Sequence, residues 1–219
     1  MTGGASPSAA LDAGRPAVFV SRLTRSFGAR TVLHELSLSL RRGDRLAVLG
    51  RNGAGKTTLL RCVAGSLLPS SGSVEVCGRA PSRPEARAQI GAVLPGERSF
   101  ALRLSGRENL RFFARLRLGG GRAEREVEAL AEELALHDVL ARRVSACSSG
   151  MVQQLGLARA LIGAPAVLVL DEPTRSLDAA AAGRLWAALD RRPELTVLIA
   201  THRPEDVARC NARLDLPGA

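Results

Sequence analysis

The fold is decided by one stretch, RLAVLGRNGAGKT at residues 45–57. An apolar, strand-like run over residues 45–49 leads into a glycine-rich loop that matches the pattern G-x-x-x-x-G-K-[ST], and a helix-like run over residues 56–64 follows. In such a loop the backbone N–H groups wrap the phosphates of a nucleotide, and the start of the helix adds a favourable dipole. We therefore predict a nucleotide-phosphate loop made of Gly50, Arg51, Asn52, Gly53, Ala54, Gly55, Lys56, Thr57 and Thr58.

Lys56 is the only lysine among the 31 basic residues, and all the others are arginine. A compact ammonium fits between the β- and γ-phosphates, whereas the larger, planar guanidinium prefers a bidentate approach. Lys56 therefore occupies a position where arginine is not expected to fit between the phosphates. The hydroxyl of Thr57, the next residue, is predicted to ligate Mg²⁺.

The net charge of +10 is attributed to composition rather than to a nucleic-acid-binding surface, because nearly all of the basic residues are arginine. Five Phe, one Trp and no Tyr leave too few rings for a platform that stacks single-stranded nucleic acid. A hydrophobic content of 46% over 219 residues excludes wholesale disorder and allows a packed core. No nucleic-acid partner is expected.

The cysteines indicate neither a zinc site nor a disulfide framework, because Cys62, Cys77, Cys147 and Cys210 form no C-x-x-C pair and have no histidine cluster beside them. The longest apolar run, residues 164–170, is far shorter than the ~20 residues that span a bilayer. Residues 1–16, rich in Gly, Ala, Ser and Pro, are predicted to be a flexible leader rather than a signal peptide. We therefore expect a soluble, cytoplasmic protein.

Hydrophobic periodicity predicts an α/β protein whose buried parallel strands form the core, with antiparallel strands near the N-terminus and a helical insert in the middle. The glycines at positions 119–121 are predicted to break the insert between two helices. The predicted strands are 17–23, 35–40, 45–49, 73–77, 90–94, 166–170 and 195–200, and the predicted helices are 56–64, 105–118, 122–136 and 178–192.

Polar residues follow two of the predicted buried strands. Strand 166–170 ends in Asp171 and Glu172, and beside a phosphate loop the first carboxylate is expected to hold Mg²⁺. The second is placed to polarise an attacking water as a general base. His202 follows strand 195–200 and is expected to face the ligand crevice, where it could bond the γ-phosphate or orient the water.

With these motifs in this order, the chain resembles the nucleotide-binding subunit of ATP-binding cassette (ABC) transporters. The resemblance covers about residues 17–213, and residues 214–219 are predicted to be a tail. The family signature, usually LSGGQ, is matched by residues 147–151, and residues 97–100 and 106–110 are similar to exporter cassettes of the ABC-2 type. The resemblance implies a P-loop NTPase fold with a RecA-like core, an N-terminal antiparallel β subdomain and an α-helical insert at about residues 97–163. Other matching segments are Asp171-Glu172-Pro173-Thr174, Ser176-Leu177-Asp178 and Thr201-His202.

The resemblance also implies a mechanism, in which two cassettes, identical or different, close head to tail around two ATP molecules. Ser148, Ser149 and Gly150 would contact the γ-phosphate held by the partner's phosphate loop, and Asp178 would lie at the seam. ATP hydrolysis would drive a membrane exporter through a separate transmembrane permease, which would hold the chain at the inner face of the cell membrane. Phe27 matches the aromatic that stacks on adenine, although a core position is the alternative.

Two departures from the family pattern leave alternatives open. The family glutamine that contacts Mg²⁺ corresponds to Gly96, and Glu97 is the neighbouring carboxylate that could replace it. Ser149 and Met151 replace the Gly and Gln of the signature. Phe112 and Phe113 could line a groove for a membrane-domain helix or pack the insert on the core.

The sequence also allows one alternative substrate class, and it disfavours two other functions. The short C-terminus is similar to that of heme-exporter cassettes of cytochrome c maturation, which is the alternative substrate class. A non-transport cassette acting on DNA or ribosomes is disfavoured by the single cassette and the short insert. A P-loop kinase or GTPase is disfavoured by the signature segment and by the position of His202.

Overall fold

The computed structural model describes residues 15–96 and 100–217. The strands are β1 Val18–Phe27, β2 Arg30–Leu40, β3 Arg45–Leu49, β4 Ser71–Val76, β5 Ile90–Val93, β6 Val167–Asp171, β7 Thr196–Ala200 and β8 Ala212–Asp215. The α-helices are α1 Lys56–Val63, α2 Pro84–Arg87, α3 Gly106–Leu118, α4 Gly120–Leu134, α5 His137–Ala141, α6 Ser149–Leu161, α7 Ala179–Asp190 and α8 Pro204–Val207. This alternation confirms the predicted α/β class.

A five-stranded sheet in the order β5-β6-β7-β3-β8 carries the functional motifs. All of its pairings are parallel; β6, for example, pairs with β7 from Val167 opposite Thr196 to Asp171 opposite Ala200. The central strands are buried and rich in Val, Leu and Ile, as expected of a sheet covered on both faces. Because parallel strands end at the same edge, Gly50, Glu172 and Thr201 follow neighbouring strands at one edge of the sheet.

A second sheet, in the order β2-β1-β4, is antiparallel and comes from the N-terminal part of the chain, as predicted. β1 and β2 are longer than the predicted strands 17–23 and 35–40, and together they form a hairpin in which Phe27 pairs with Arg30. Register shifts in β1 interrupt the strict alternation of apolar residues that the sequence prediction relied on. The hairpin turn therefore lies further along the chain than the pattern indicated.

The helical insert lies between β5 and β6 and contains α3, α4, α5 and α6. α3 begins with a capping box, in which the Ser105 hydroxyl accepts from the Glu108 backbone N–H while the Glu108 carboxylate accepts from the Ser105 backbone. The prediction that residues 119–121 break the chain between helices was wrong for two of the three glycines. Only Gly119 lies between the two helices, as the C-cap of α3 and the N-cap of α4. α4 begins at Gly120 because packing of its apolar face stabilises the helix. The residues of this face that lie in the core are Ala123, Val127, Leu130, Ala131 and Leu134.

The parallel sheet extends past the predicted domain boundary at residue 213. β8 pairs with β3 as far as Asp215, and Leu216 is buried, with 6% of its surface exposed. A four-residue edge strand gave too short a pattern to be predicted. The part of the predicted tail that the structure describes, residues 214–217, therefore begins within an edge strand of the parallel sheet.

The described residues also bear on the cysteine and membrane predictions. All four cysteines are free thiols, and burial raises the pKa of Cys62 and of Cys210 to about 11. Both thiols therefore stay protonated near neutral pH, as befits structural cysteines. Within residues 15–96 and 100–217, none of the helices has the length and apolarity needed to cross a bilayer.

Candidate nucleotide site

A cleft of about 620 Å³ lies where the phosphate loop meets the ends of β6 and β7. It brings together six of the predicted loop residues and the two acidic residues with His202, although these come from distant parts of the sequence. Predicted residues that do not line it are Phe27, Gly50, Arg51, Ala54, Ser148, Ser149 and Gly150. The lining residues are Arg30, Val32, Asn52, Gly53, Gly55, Lys56, Thr57, Thr58, Asp171, Glu172, Arg175 and His202.

The phosphate loop presents the start of α1 to the cleft. Gly55 is the N-cap of α1 in the left-handed conformation, at φ 97°, and no side chain caps the helix. A Cβ at Gly55 would lie 2.8 Å from the Leu33 side chain, so the position needs glycine both for its backbone angle and for space. The first N–H groups of α1 are left without side-chain acceptors, which makes the loop suited to a phosphate group.

Lys56 folds back over the loop. Its Nζ donates to the carbonyl oxygens of Gly50, at 2.6 Å, and of Arg51, at 3.2 Å. An ammonium has three N–H donors, so one remains for a phosphate oxygen. The two carbonyls therefore fix a single positive charge at the loop that is predicted to hold the β- and γ-phosphates.

A pair of oxygen ligands suited to Mg²⁺ lies beside the loop. The Thr57 hydroxyl donates to Asp171 Oδ2 at 2.5 Å, and both residues line the cleft. Burial raises the pKa of Asp171 and the Glu172 charge raises it further, while the hydrogen bond from Thr57 and the charge of Lys56 act in the opposite direction. Hydroxyl and carboxylate oxygens are the donors that Mg²⁺ prefers, and it commonly takes only one or two protein ligands besides phosphate.

The described residues hold no cluster of three or more His, Cys, Asp or Glu side chains that could bind a metal ion by themselves. The donor set around Thr57 and Asp171 therefore fits a Mg²⁺ ion shared with a nucleotide. Glu97, the third predicted ligand, lies outside the described residues. Gly96 is exposed, and its neighbour Pro95 accepts a hydrogen bond from the Arg61 guanidinium at 3.0 Å.

Glu172 and His202 form a hydrogen-bonded pair at the edge of the cleft, with 2.7 Å between Oε1 and Nδ1. Glu172 has a left-handed backbone, at φ 48°, and its N–H donates to the Ala200 carbonyl at 2.8 Å. Its second oxygen, Oε2, is buried and has no hydrogen-bond partner among residues 15–96 and 100–217. A strained backbone and an unused buried acceptor are both typical of functional sites.

Phe27 is 48% exposed at the end of β1, which excludes the core position considered above. The Arg25 guanidinium lies 4.5 Å from the centre of its ring. Phe27 also pairs with Arg30, which lines the cleft. Stacking on adenine remains a prediction for this exposed ring.

The signature segment lies at the start of α6, outside the cleft. Ser148 caps the helix by accepting from the Met151 N–H at 3.3 Å, and both Ser148 and Ser149 are exposed. A Cβ at Gly150 would lie 2.5 Å from the Ser176 carbonyl oxygen, so this close approach requires glycine. Asp178 caps α7, accepting from the Ala181 N–H at 2.7 Å. One chain therefore does not bring its signature to its own phosphate loop.

Phe113 and Phe112 differ in their surroundings. The Phe113 ring lies 6.1 Å from that of Phe100, edge to face, and the Arg159 guanidinium lies 5.5 Å from its centre. Phe113 thus packs the insert on the core, which was one of its two predicted roles. Phe112 is 56% exposed.

Sequence reasoning missed Arg30, Val32 and Arg175 as residues that line the cleft. Arg175 stands inside the segment that follows the acidic pair, so its position could have been noted. Arg30 and Val32 are brought in by the β1–β2 hairpin, for which the sequence offered no spacing signal.

Comparisons with known proteins agree with this arrangement. The family model described as "ABC transporter" matches residues 33–175. The chain is 38% identical to Nod factor export ATP-binding protein I of Rhizobium meliloti (strain 1021), over 96% of this chain and 62% of that protein. It is 35% identical to the ABC transporter ATP-binding protein NatA of Bacillus subtilis (strain 168), over 82% and 76%. This chain thus spans somewhat less than two thirds of the Nod factor export relative.

Solved structures give the same fold. An ATP-binding subunit of an ABC transporter has a TM-score of 0.80 at 26% identity, covering 91% of this chain and 85% of that one. A dimeric, post-hydrolysis ATP-binding cassette bound to ADP and Pi has a TM-score of 0.81 at 21% identity, covering 91% and 94%. With the family model matching more than half of its length, the chain belongs to the ABC transporter family and has the fold of its ATP-binding cassettes.

Proposed function

We propose that this chain is the ATP-binding and ATP-hydrolysing subunit of a membrane exporter of the ABC-2 type. One observation carries the proposal: the hydrogen-bonded Glu172–His202 pair lies in the same cleft as the Thr57–Asp171 pair and the phosphate loop. A relative at 38% identity is named for Nod factor export, which supports the direction of transport.

The cleft holds ATP by its phosphates. The N–H groups at the start of α1 and the Lys56 ammonium bind the β- and γ-phosphates, and Thr57 and Asp171 supply the protein ligands for Mg²⁺. When bound, Mg²⁺ neutralises charge on the β- and γ-phosphate oxygens. Phe27, exposed at the hairpin turn, stacks on the adenine ring in this proposal.

Glu172 acts as the general base for hydrolysis. The Glu172 carboxylate accepts a proton from a water molecule as that water's oxygen forms a bond to the γ-phosphorus, and the bond from the γ-phosphorus to the β–γ bridging oxygen breaks to leave ADP. His202 bonds the carboxylate at Oε1 and so fixes the orientation of the carboxylate at the cleft. A base held within hydrogen-bond reach of its water is the geometric requirement for this step.

A second cassette, identical or different, completes the site. Ser148, Ser149 and Gly150 lie at an exposed helix start outside their own cleft, where a γ-phosphate held by another chain can reach them. The solved cassettes with this fold include dimers, one of them bound to ADP and Pi. ATP binding then closes the pair, and hydrolysis reopens it.

A separate transmembrane permease is the second partner, and it holds the cassette at the inner face of the cell membrane. The apolar face offered to it includes exposed side chains of α3 and of the segment before α3: Leu102, Leu104, Phe112 and Leu116. The heme-exporter alternative draws no support from the relatives, whose names specify Nod factor export and NatA. A cassette acting on DNA or ribosomes draws none from them either.

The direct test is steady-state ATP hydrolysis by the wild-type chain and by Glu172→Gln, with ATP binding measured on both. We expect Glu172→Gln to lower kcat by about 10²- to 10⁴-fold and to leave ATP affinity unchanged, because the amide cannot take the proton. Glu194→Gln is the matched control, since that side chain is exposed and outside the cleft. A wild-type chain without ATPase activity, or full turnover by Glu172→Gln, would overturn the proposal.

A further inference from the structure

A buried carboxylate that no motif assigns lies behind the Glu172–His202 pair. Asp206, in α8, is 2% exposed. Its Oδ2 accepts from the Thr174 hydroxyl at 2.6 Å and from the Thr201 hydroxyl at 3.0 Å, and its Oδ1 accepts from the Trp186 indole N–H at 3.2 Å. Burying a carboxylate is costly unless it is well hydrogen-bonded, and these three donors meet that cost.

The two hydroxyls on Oδ2 belong to the two segments that carry the proposed catalytic pair. Thr174 follows Glu172 by two residues, and Thr201 directly precedes His202. A single oxygen atom of Asp206 therefore joins the chain after β6 to the chain after β7.

Arg203 adds two further bonds across the same junction. Its backbone N–H donates to the Thr201 hydroxyl oxygen at 3.1 Å, and its guanidinium donates to the Thr174 carbonyl at 3.0 Å. The Thr201 hydroxyl thus donates to Asp206 and accepts from Arg203, so its orientation is fixed. The network holds the two segments together independently of the Glu172–His202 contact.

The catalytic pair needs such support. In the described part of the chain, the side chain of His202 has one hydrogen-bond partner, Glu172, and it is largely exposed. Glu172 has a left-handed backbone that neighbouring contacts must hold in place. The 2.7 Å distance between the two side chains therefore depends on the backbone segments on which they stand.

We propose that Asp206 is a positioning residue for ATP hydrolysis, which sets the geometry of Glu172 and His202 through the hydroxyls of Thr174 and Thr201. The proposal rests on the proposed ATPase function. Asp206 does not line the cleft, so it acts on turnover and not on nucleotide binding. The hydrogen bonds of such a network are cooperative, so the loss of either hydroxyl is expected to disturb the relative positions of Glu172 and His202.

The test removes each hydroxyl while keeping the shape of the side chain. We expect Thr174→Val and Thr201→Val each to lower kcat by about tenfold or more, because small displacements of catalytic groups cost rates of this order. The dissociation constant for ATP should stay within about twofold, since the phosphate loop is unchanged. Thr174→Ser and Thr201→Ser keep the hydroxyl and should restore kcat to within about threefold of wild type.

Thr196→Val is the matched control for a purely structural effect. Thr196 is also a fully buried threonine, it stands on β7 close before Thr201, and its hydroxyl bonds the Arg41 carbonyl and the Gly43 N–H at 3.1 and 3.2 Å. Its substitution should lower the thermal unfolding temperature about as much as Thr201→Val does, with kcat unchanged. Equal losses of kcat in the two variants would overturn the proposal.

Asp206→Asn and the double variant Thr174→Val with Thr201→Val complete the experiment. Because both hydroxyls act through one oxygen, the double variant should lose little more kcat than either single variant. Wild-type turnover in Asp206→Asn, or fully multiplicative losses in the double variant, would count against Asp206. Activity of the wild-type chain, and its loss in Glu172→Gln, are measured beside these variants, so failure of the ATPase proposal is distinguished from failure of this one.

Discussion

The phosphate-loop region and the signature region of the molecule are built differently. The phosphate-loop region gathers residues from α1, β6 and β7 into one cleft, because neighbouring parallel strands end at the same edge of the sheet. The signature region, Ser148 to Gly150, lies at the start of α6 in the helical insert and contributes nothing to that cleft. The signature region and the cleft of one chain therefore do not meet, and under the proposed function a second cassette brings them together.

Their helix starts show the same contrast. The N-cap of α1 is Gly55, which has no side chain to cap the helix and so leaves its first N–H groups for a ligand. The N-cap of α6 is Ser148, whose side chain already bonds one of the helix N–H groups, and this helix start is exposed. Under the proposed function, the first helix start binds a phosphate within its own chain, whereas the second contacts a phosphate that another chain holds.

The largest effect is expected in the phosphate-loop region, from Lys56→Arg. We expect at least about a 10²-fold loss of ATP hydrolysis although the charge is kept, because a planar guanidinium cannot replace the ammonium folded over the Gly50 and Arg51 carbonyls. ATP affinity and turnover should be measured together. Arg79→Lys is the matched control, since it makes the reverse exchange at an exposed site outside the cleft. Wild-type affinity and turnover in Lys56→Arg would show that the steric reason is wrong.

Gly150→Ala tests the signature region and is expected to have the next largest effect. The added Cβ would lie 2.5 Å from the Ser176 carbonyl, so the start of α6 has to move away from the segment before α7. We expect about a tenfold loss of turnover while the chain's own loop binds ATP normally, since only the second half-site is disturbed.

Gly183→Ala is the control for Gly150→Ala, because a Cβ there has open space around it within α7. It should stabilise the chain by about 0.5–1 kcal/mol, with turnover unchanged. Loss of ATP binding in Gly150→Ala would contradict the separation of the two regions.

Phe27→Leu tests whether the nucleotide site extends from the phosphate loop to the ring of Phe27, and it has the smallest expected effect. If the exposed ring stacks on adenine, its loss should weaken ATP binding by about three- to tenfold with kcat nearly unchanged. Binding of ATP and of inorganic triphosphate should be compared by calorimetry, because triphosphate has no adenine and should bind both chains equally. Equal loss for the two ligands would mean that Phe27 acts on the loop and not on the base.

The sequence predicted those features that depend on local pattern. The loop from Gly50 to Thr57 and the buried strand that ends in Asp171 could be recognised because each needs particular residue types at fixed spacing. The hydrophobic runs of β3, β6 and β7 also placed the parallel sheet correctly.

Features that depend on distant contacts could not be predicted. α4 starts at Gly120 because its apolar face packs into the core, although glycine is a poor helix former. Arg30 reaches the cleft only because the hairpin folds beside the phosphate loop. The bond from Thr174 to Asp206 joins segments 32 residues apart, with no spacing rule to reveal it.

Under the proposed function, the signature region acts on ATP held by another chain. Light scattering with and without ATP tests this by giving the mass of the Glu172→Gln chain and of the same chain carrying Ser149→Asp. Ser149 is exposed in the first turn of α6, where aspartate favours the helix but repels a phosphate. We expect ATP to double the mass of Glu172→Gln from 23.0 kDa, and the Ser149→Asp chain to bind ATP yet stay at 23.0 kDa. An ATP-bound dimer of the Ser149→Asp chain, or loss of ATP binding by it, would contradict the claim.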